Sequence, residues 1–229
     1  MRRVKFEERT AEEIAAARAE RSLVYVPIGS LEFHGCHLPV GLDTMHAHAF
    51  CVAVAEKTGG VVLPPTYWGT QGHEGWEGSM LLKEDVVVAL MRNVVEVLAA
   101  MGYEWIIIVT GHHPDVQGVL LREMAEEWMA EAKAEGKAEG KAKAKVLVMD
   151  PFAVQPIEPV LDHGGLVETS LMLHLRGDLV DMARLRTKED AFKGVAESCV
   201  DATRKEGKVR FEGSVERLAA KVEEVVGKG

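Results

Sequence analysis

Trp105 to Thr110, reading WIIIVT, is an unbroken apolar and β-branched run that opens directly onto Gly111-His112-His113-Pro114-Asp115. A strand with no polar alternation expects cover on both faces, and that is the habit of parallel sheets under helices. Leu23 to Ile28 repeats the pattern and ends at Gly29. Both runs therefore predict buried strands of a mainly parallel central sheet, with helices on both faces, in an α/β αβα sandwich. In such sheets ligands collect at the carboxyl ends of the strands. The residues just after each run are thus the ones to inspect.

After Leu23 to Ile28 comes the densest polar stretch in the chain. Pro27 to His48 holds Glu32, His34, His37, Asp43, His46 and His48, four of the nine histidines among them. Carboxylates and imidazoles are the oxygen and nitrogen donors that first-row divalent metals take. The spacing of Glu32 and His34 puts both side chains on one side if the backbone is extended. A turn through Leu38, Pro39 and Gly41 can return Asp43 towards them.

The remaining pattern alternates helix and strand. Thr10 followed by Glu13 has the form of a capping box for a helix from Ala11 to about Glu20. Asp43 or Thr44 is the expected cap of a helix to about Lys57, stopped by Gly59-Gly60. Val61 to Leu63 makes a short strand. Tyr67 to Ser79 is a glycine-rich loop carrying His73, Glu74, Trp76 and Glu77, which either line a substrate pocket or form plain surface. Asp85 is expected to cap a helix from Val86 to Met101. A further helix runs from about Val116 to Lys133, and 132–145 reads as a solvated extension or surface linker. Val146 to Met149 is a short strand. Asp162-His163-Gly164-Gly165 leads past Glu168 into a helix ending at Leu175. Beyond Gly177 the chain turns polar, with an amphipathic helix from Val215 to Val226. The whole, 1–229, is expected to be one domain.

Charge and cysteine use narrow the partners. A net charge of −9 disfavours nucleic acid, whose phosphates need a basic face. No run reaches the ~20 apolar residues of a membrane span, and the N-terminus has no signal-type apolar core. Cys36, Cys51 and Cys199 form no CxxC pair and read as reduced thiols of a cytoplasmic protein.

Three strand ends thus carry metal-type or acid–base residues: Glu32, His34 and Asp43, then His112, then His163 and Glu168. The segments GSLEFHGCHLPVGLD at 29–43, TGHHPD at 110–115 and HGGLVETSLML at 163–173 resemble the creatininase (creatinine amidohydrolase) family. GWEGSMLL at 75–82 is a weaker match. The resemblance implies two divalent ions, zinc or manganese with iron as a further option, and a homo-oligomer such as a hexamer. It implies Glu32, His34, Asp43, His112 and Glu168 as metal ligands, with Asp43 bridging, and His163 as the catalytic histidine. His113, Ser79, Trp76 and His73 are the expected substrate contacts.

Two departures from the family stand out. Pro114 occupies a position where creatininase itself has a glutamate of the metal site, with His113 or Asp115 as possible substitutes. Pro159 stands where creatininase has a tryptophan. The expectation is a hydrolase that opens an amide or cyclic-amide C–N bond of a small molecule other than creatinine, using hydroxide formed at the ion pair. A formylamino-pyrimidine nucleotide deformylase is the alternative within the family, although only Lys83 and Arg92 lie near the key loops. A peptidase maturing a small redox-peptide precursor is another, and a metal-binding scaffold without catalysis is the alternative from outside enzymes.

Overall fold

The computed structural model describes residues 3–134, 144–187 and 189–227. Most of the expected linker, 135–143, lies outside the described residues, as does the side chain of Asp115. Four strands form one sheet in the order β2-β1-β3-β4, where β1 is Leu23–Ile28, β2 Val61–Val62, β3 Trp105–Thr110 and β4 Lys145–Met149. Every pairing between them is parallel. The β1–β3 register runs in step from Leu23 opposite Trp105 to Ile28 opposite Thr110, so the two apolar runs end side by side.

Side chains alternate across the sheet as the pleat requires. Val24, Val26, Ile28, Ile106 and Ile108 face one core, closed by Ile14 of helix α1 (Ala11–Glu20), Met91 and Val95 of α3 (Glu84–Ala100), and Leu121 of α4 (Asp115–Ala134). Leu23, Tyr25, Ile107 and Val109 face the other. That face is closed by α2 (Leu42–Thr58), α5 (Leu166–Arg176) and α7 (Arg204–Val226), through Phe50, Leu171 and Leu218. Burial of both faces explains why neither strand carries polar alternation. A short helix, α6 (Arg184–Thr187), completes the set among the described residues.

Several boundaries differ from expectation. Thr10 and Glu13 do form the capping box of α1. Asp43 does not cap α2: Gly41 is the N-cap, without a side-chain cap bond, because the Asp43 carboxylate is drawn elsewhere. Asp85 is not the N-cap of α3, which starts at Glu84 behind Lys83, although its carboxylate accepts from the Val86 amide (3.0 Å). The last helix begins at Arg204, eleven residues before the expected Val215, with the Thr203 side chain accepting from the Glu206 amide. Among the described residues, no helix is long and apolar enough to cross a membrane.

Candidate metal centre

The carboxyl ends of β1 and β3 meet the first turn of α2. This approach is close: a Cβ on Gly111 would stand 2.1 Å from the Asp43 carbonyl oxygen. Any side chain there would push α2 away from the sheet, so the glycine after β3 is a packing requirement. The loop between β1 and α2 folds back on itself, the Glu32 amide donating to Val40 O (2.8 Å) and the Leu42 amide to Pro39 O (3.2 Å). Asp43 is thereby returned beside Glu32 and His34, as the turn through Leu38 to Gly41 led us to expect. The third contribution comes from the first turn of α5, where Glu168 Oε2 accepts from the Gly164 amide (2.7 Å).

Tautomers follow from partners that can only accept. His112 Nε2 lies 3.0 Å from Thr70 O and 2.8 Å from Gln71 O, so Nε2 carries the hydrogen. Its Nδ1 faces Asp43 Oδ2 at 2.8 Å and Glu32 Oε2 at 3.1 Å. His34 is the mirror case. Its Nδ1 donates to Glu32 O (3.0 Å), leaving Nε2 towards Asp43 Oδ1 at 3.0 Å and Glu168 Oε2 at 3.7 Å. Asp43 thus turns one oxygen to each histidine, while the Ser30 hydroxyl donates to Oδ2 (2.5 Å). Glu32, His34, Asp43, His112 and Glu168 are all buried.

The electrostatics express the same arrangement. Burial pushes Glu32 up, yet the hydrogen bond and charge of His112 outweigh it and bring the carboxyl down to about 2. Asp43 is likewise held well below its usual range: burial opposes, and the charge of His34 and the bond to His112 win. Burial works against charge on both histidines, but Asp43 and its neighbours raise each to about 10. Glu168 is raised to about 8, chiefly by burial.

Two sets can hold an ion, Glu32 with Asp43 and His112, and His34 with Asp43 and Glu168; donor atoms in each lie within 4.8 Å of one another. A third, Glu32, His34 and His163, meets the same condition. Oxygen and nitrogen donors in threes are the chemistry of catalytic zinc and manganese sites that keep a position open. The residues present fit the binding of a divalent metal ion.

A cavity of about 460 Å³ opens over these groups, lined also by His73, His113, Pro114, Leu161, Asp162 and His163. His163 Nε2 donates to Phe33 O (2.9 Å), and its ring stacks on His34 at 4.4 Å and on His73 at 4.2 Å. Burial and the charge of His34 lower it to about 4. Of the four expected substrate contacts, His73 and His113 reach the cavity, with His113 Nδ1 3.5 Å from Asp150 Oδ1. Ser79 and Trp76 do not line it. The Ser79 hydroxyl accepts from the Phe33 amide (2.9 Å), and Trp76 packs against Phe33 at 4.9 Å. Cys36 is no ligand; its Sγ points to Ala191 O at 3.9 Å. His46 is buried, and among the described residues neither ring nitrogen has a hydrogen-bond partner, so it does not orient Asp43.

Residues 7–222 match the family model of creatininase, creatinine amidohydrolase. The chain belongs to the creatininase family. Creatinine amidohydrolase of Pseudomonas putida is 27% identical over 187 residues, covering 75% of this chain and 71% of that protein. A mycofactocin precursor peptide peptidase of Mycolicibacterium smegmatis is 30% identical over 166 residues, covering 68% of this chain and 59% of its own length. The fold matches a solved manganese creatininase with a TM-score of 0.86 at 23% identity, covering 98% of this chain and 99% of that one. This member of the creatininase family is thus related to hydrolases that open C–N bonds, and it carries side-chain groups able to bind metal.

Two features of the site were not visible in the sequence. One is the grip of His73 on Glu32, from a loop 41 residues away. The other is Arg210, fully buried in α7, whose guanidinium donates to Ile157 O (3.1 Å) and Pro159 O (2.7 Å) and pairs with Glu206 (2.7 Å). It holds the segment leading to Leu161, Asp162 and His163. A lone arginine in a polar helix gives no periodic sign of this.

Proposed function

We propose that this chain is a hydrolase of amide or cyclic-amide C–N bonds in a small molecule, working with two divalent ions, zinc or manganese. The observation that carries the reading is the division of Asp43, one oxygen 3.0 Å from His34 Nε2 and the other 2.8 Å from His112 Nδ1. Glu32 and His112 would hold one ion, His34 and Glu168 the other, with Asp43 contributing to both. When bound, the ions supply Lewis-acid charge that polarises a carbonyl and acidifies water.

The rest is the work of side chains. His163 donates from Nε2 to Phe33 O, so Nδ1 is its basic nitrogen. Held neutral at pH 7, it takes at Nδ1 the proton that the attacking water gives up and passes it to the leaving nitrogen. Leu161 and Pro114 contribute apolar surface to the cavity wall. Pro114 offers no donor, but each ion would have three protein ligands without it, which favours an active enzyme over a scaffold. Among the described residues lining the cavity there is no Lys or Arg, which disfavours a phosphorylated substrate such as a formylamino-pyrimidine nucleotide. Pro114 and Pro159, in place of residues expected for creatinine, favour a different substrate. The similarity to a peptidase that acts on the mycofactocin precursor supports a second reading, in which the amide belongs to a short peptide. The reading also carries a cytoplasmic homo-oligomer, consistent with three free cysteines.

The test is a panel of cyclic amides, formamides and short peptides offered to manganese- and zinc-loaded protein. Metal-dependent cleavage of a cyclic amide supports the first reading, and cleavage of peptides alone supports the second. A fully loaded protein that cleaves nothing in the panel contradicts both.

A further inference from the structure

His73 sits on the glycine-rich loop after β2, and three contacts define its place. Its backbone amide and its ring Nδ1 both donate to the same atom, Glu32 Oε1, each at 2.8 Å. One face of the ring stacks on His163 at 4.2 Å with 22° between planes. Its edge meets Trp76 at 5.3 Å and 88°. Trp76 is itself fixed, by Phe33 at 4.9 Å and by Lys193 Nζ 5.4 Å above its ring. The residue before it, Gly72, has φ +126°, and a Cβ there would stand 2.1 Å from Glu32 Oε1. The loop therefore wraps one carboxylate oxygen so closely that only glycine fits.

We infer that His73 is a positioning residue: it occupies Glu32 Oε1 so that Oε2 is presented to the ion shared with Asp43 and His112, and it braces His163 beside it. Asp43 lies in α2, and His112, on the loop after β3, is already fixed through Nε2 by Thr70 O and Gln71 O, while Glu32 stands on the loop after β1. Its carboxylate has two oxygens that can exchange places by a rotation about the last side-chain bond. Two donors from one residue on Oε1 remove that freedom. Trp76 and Lys193 then act behind His73, which accounts for a tryptophan on this loop that never reaches the cavity. The inference rests on the metal reading of the site, and it concerns one ion of the pair only.

Titration calorimetry with Zn2+ separates the two claims. His73→Leu and His73→Asn are each made alone, in a Glu168→Ala background that leaves the Glu32–Asp43–His112 set, and in a His112→Ala background that leaves the other. In the first background His73→Leu should weaken Zn2+ binding by about 10–100-fold, the usual effect of losing a group that orients a ligand. In the second it should change nothing. Asparagine reproduces the Nδ1 donor, so His73→Asn should recover most of the loss. Equal weakening in both backgrounds, no weakening in the first, or an asparagine variant as weak as leucine would each overturn the inference while the wild-type chain still binds two ions. A wild-type chain that takes up no Zn2+ would overturn the metal reading and this inference together.

Discussion

Replacing Asp43 with alanine removes one carboxylate and should unload two ions. In the metal-free protein, Asp43 takes a hydrogen bond from Ser30 and charge-assisted contacts from His34 and His112. Bonds to charged groups contribute about 1.5–3 kcal/mol each, but the two imidazoles lose part of what raises their pKa with the carboxylate, which offsets some of that. The larger effect appears with metal. An ion present at 1,000 times its Kd stabilises the fold by about 4 kcal/mol. Losing a direct ligand should weaken binding by more than the ~100-fold upper figure for an orienting group. Each ion's contribution then falls to about 1.4 kcal/mol or less. Glu168→Ala should show this for one ion alone. Elemental analysis after gel filtration, with thermal unfolding with and without Zn2+, reads both effects. Retention of either ion at full stoichiometry in Asp43→Ala would refute the bridging assignment.

Other perturbations follow from the same geometry. Because His34 and His112 are raised to about 10 and Glu168 to about 8 in the metal-free protein, loading both ions at pH 7 should release about three protons. Calorimetry in buffers of different ionisation heat counts them, and release of fewer than one would contradict the account. For the metal-free fold, the raised histidines contribute stability that is complete below their unfolded value of about 6.5 and lost as pH rises through about 10. The depressed Glu32 acts oppositely, its contribution being lost as pH falls from about 4.5 through about 2. His163→Ala should keep both ions while hydrolysis falls by about 10²–10⁴-fold; loss of an ion on elemental analysis would make His163 a ligand instead. Arg210→Met strips a buried charge from Glu206 and the donors from two loop carbonyls. It should cost about 3 kcal/mol in denaturant unfolding, and an unchanged midpoint would remove its anchoring role.

What was legible in the sequence was whatever depends on short-range pattern. Leu23–Ile28 and Trp105–Thr110 have the expected bounds because a fully buried parallel strand admits no polar residue to blur its ends. The capping box of Thr10 and Glu13 is local and was equally readable. Asp43 misled as a helix cap because cap and ligand call for the same residue at the same place, and only the approach of His34 and His112 decides between them. The first half of α7 was hidden by Gly207 and Gly213 and by a polar composition whose deeply buried cation, Arg210, has its carbonyl partners some fifty residues away. His73 was readable as a histidine on a binding-type loop, but its hold on Glu32 is a long-range contact that no spacing encodes.

The central claim is that three distant segments converge on two cations joined by one aspartate. Anomalous diffraction from crystals grown with Zn2+ or Mn2+ tests it most directly. The account predicts two peaks in the cavity, one among Glu32, Asp43 and His112 and one among His34, Asp43 and Glu168, each touching a different oxygen of Asp43. A single peak, or two peaks of which one lies beyond reach of Asp43, would contradict it.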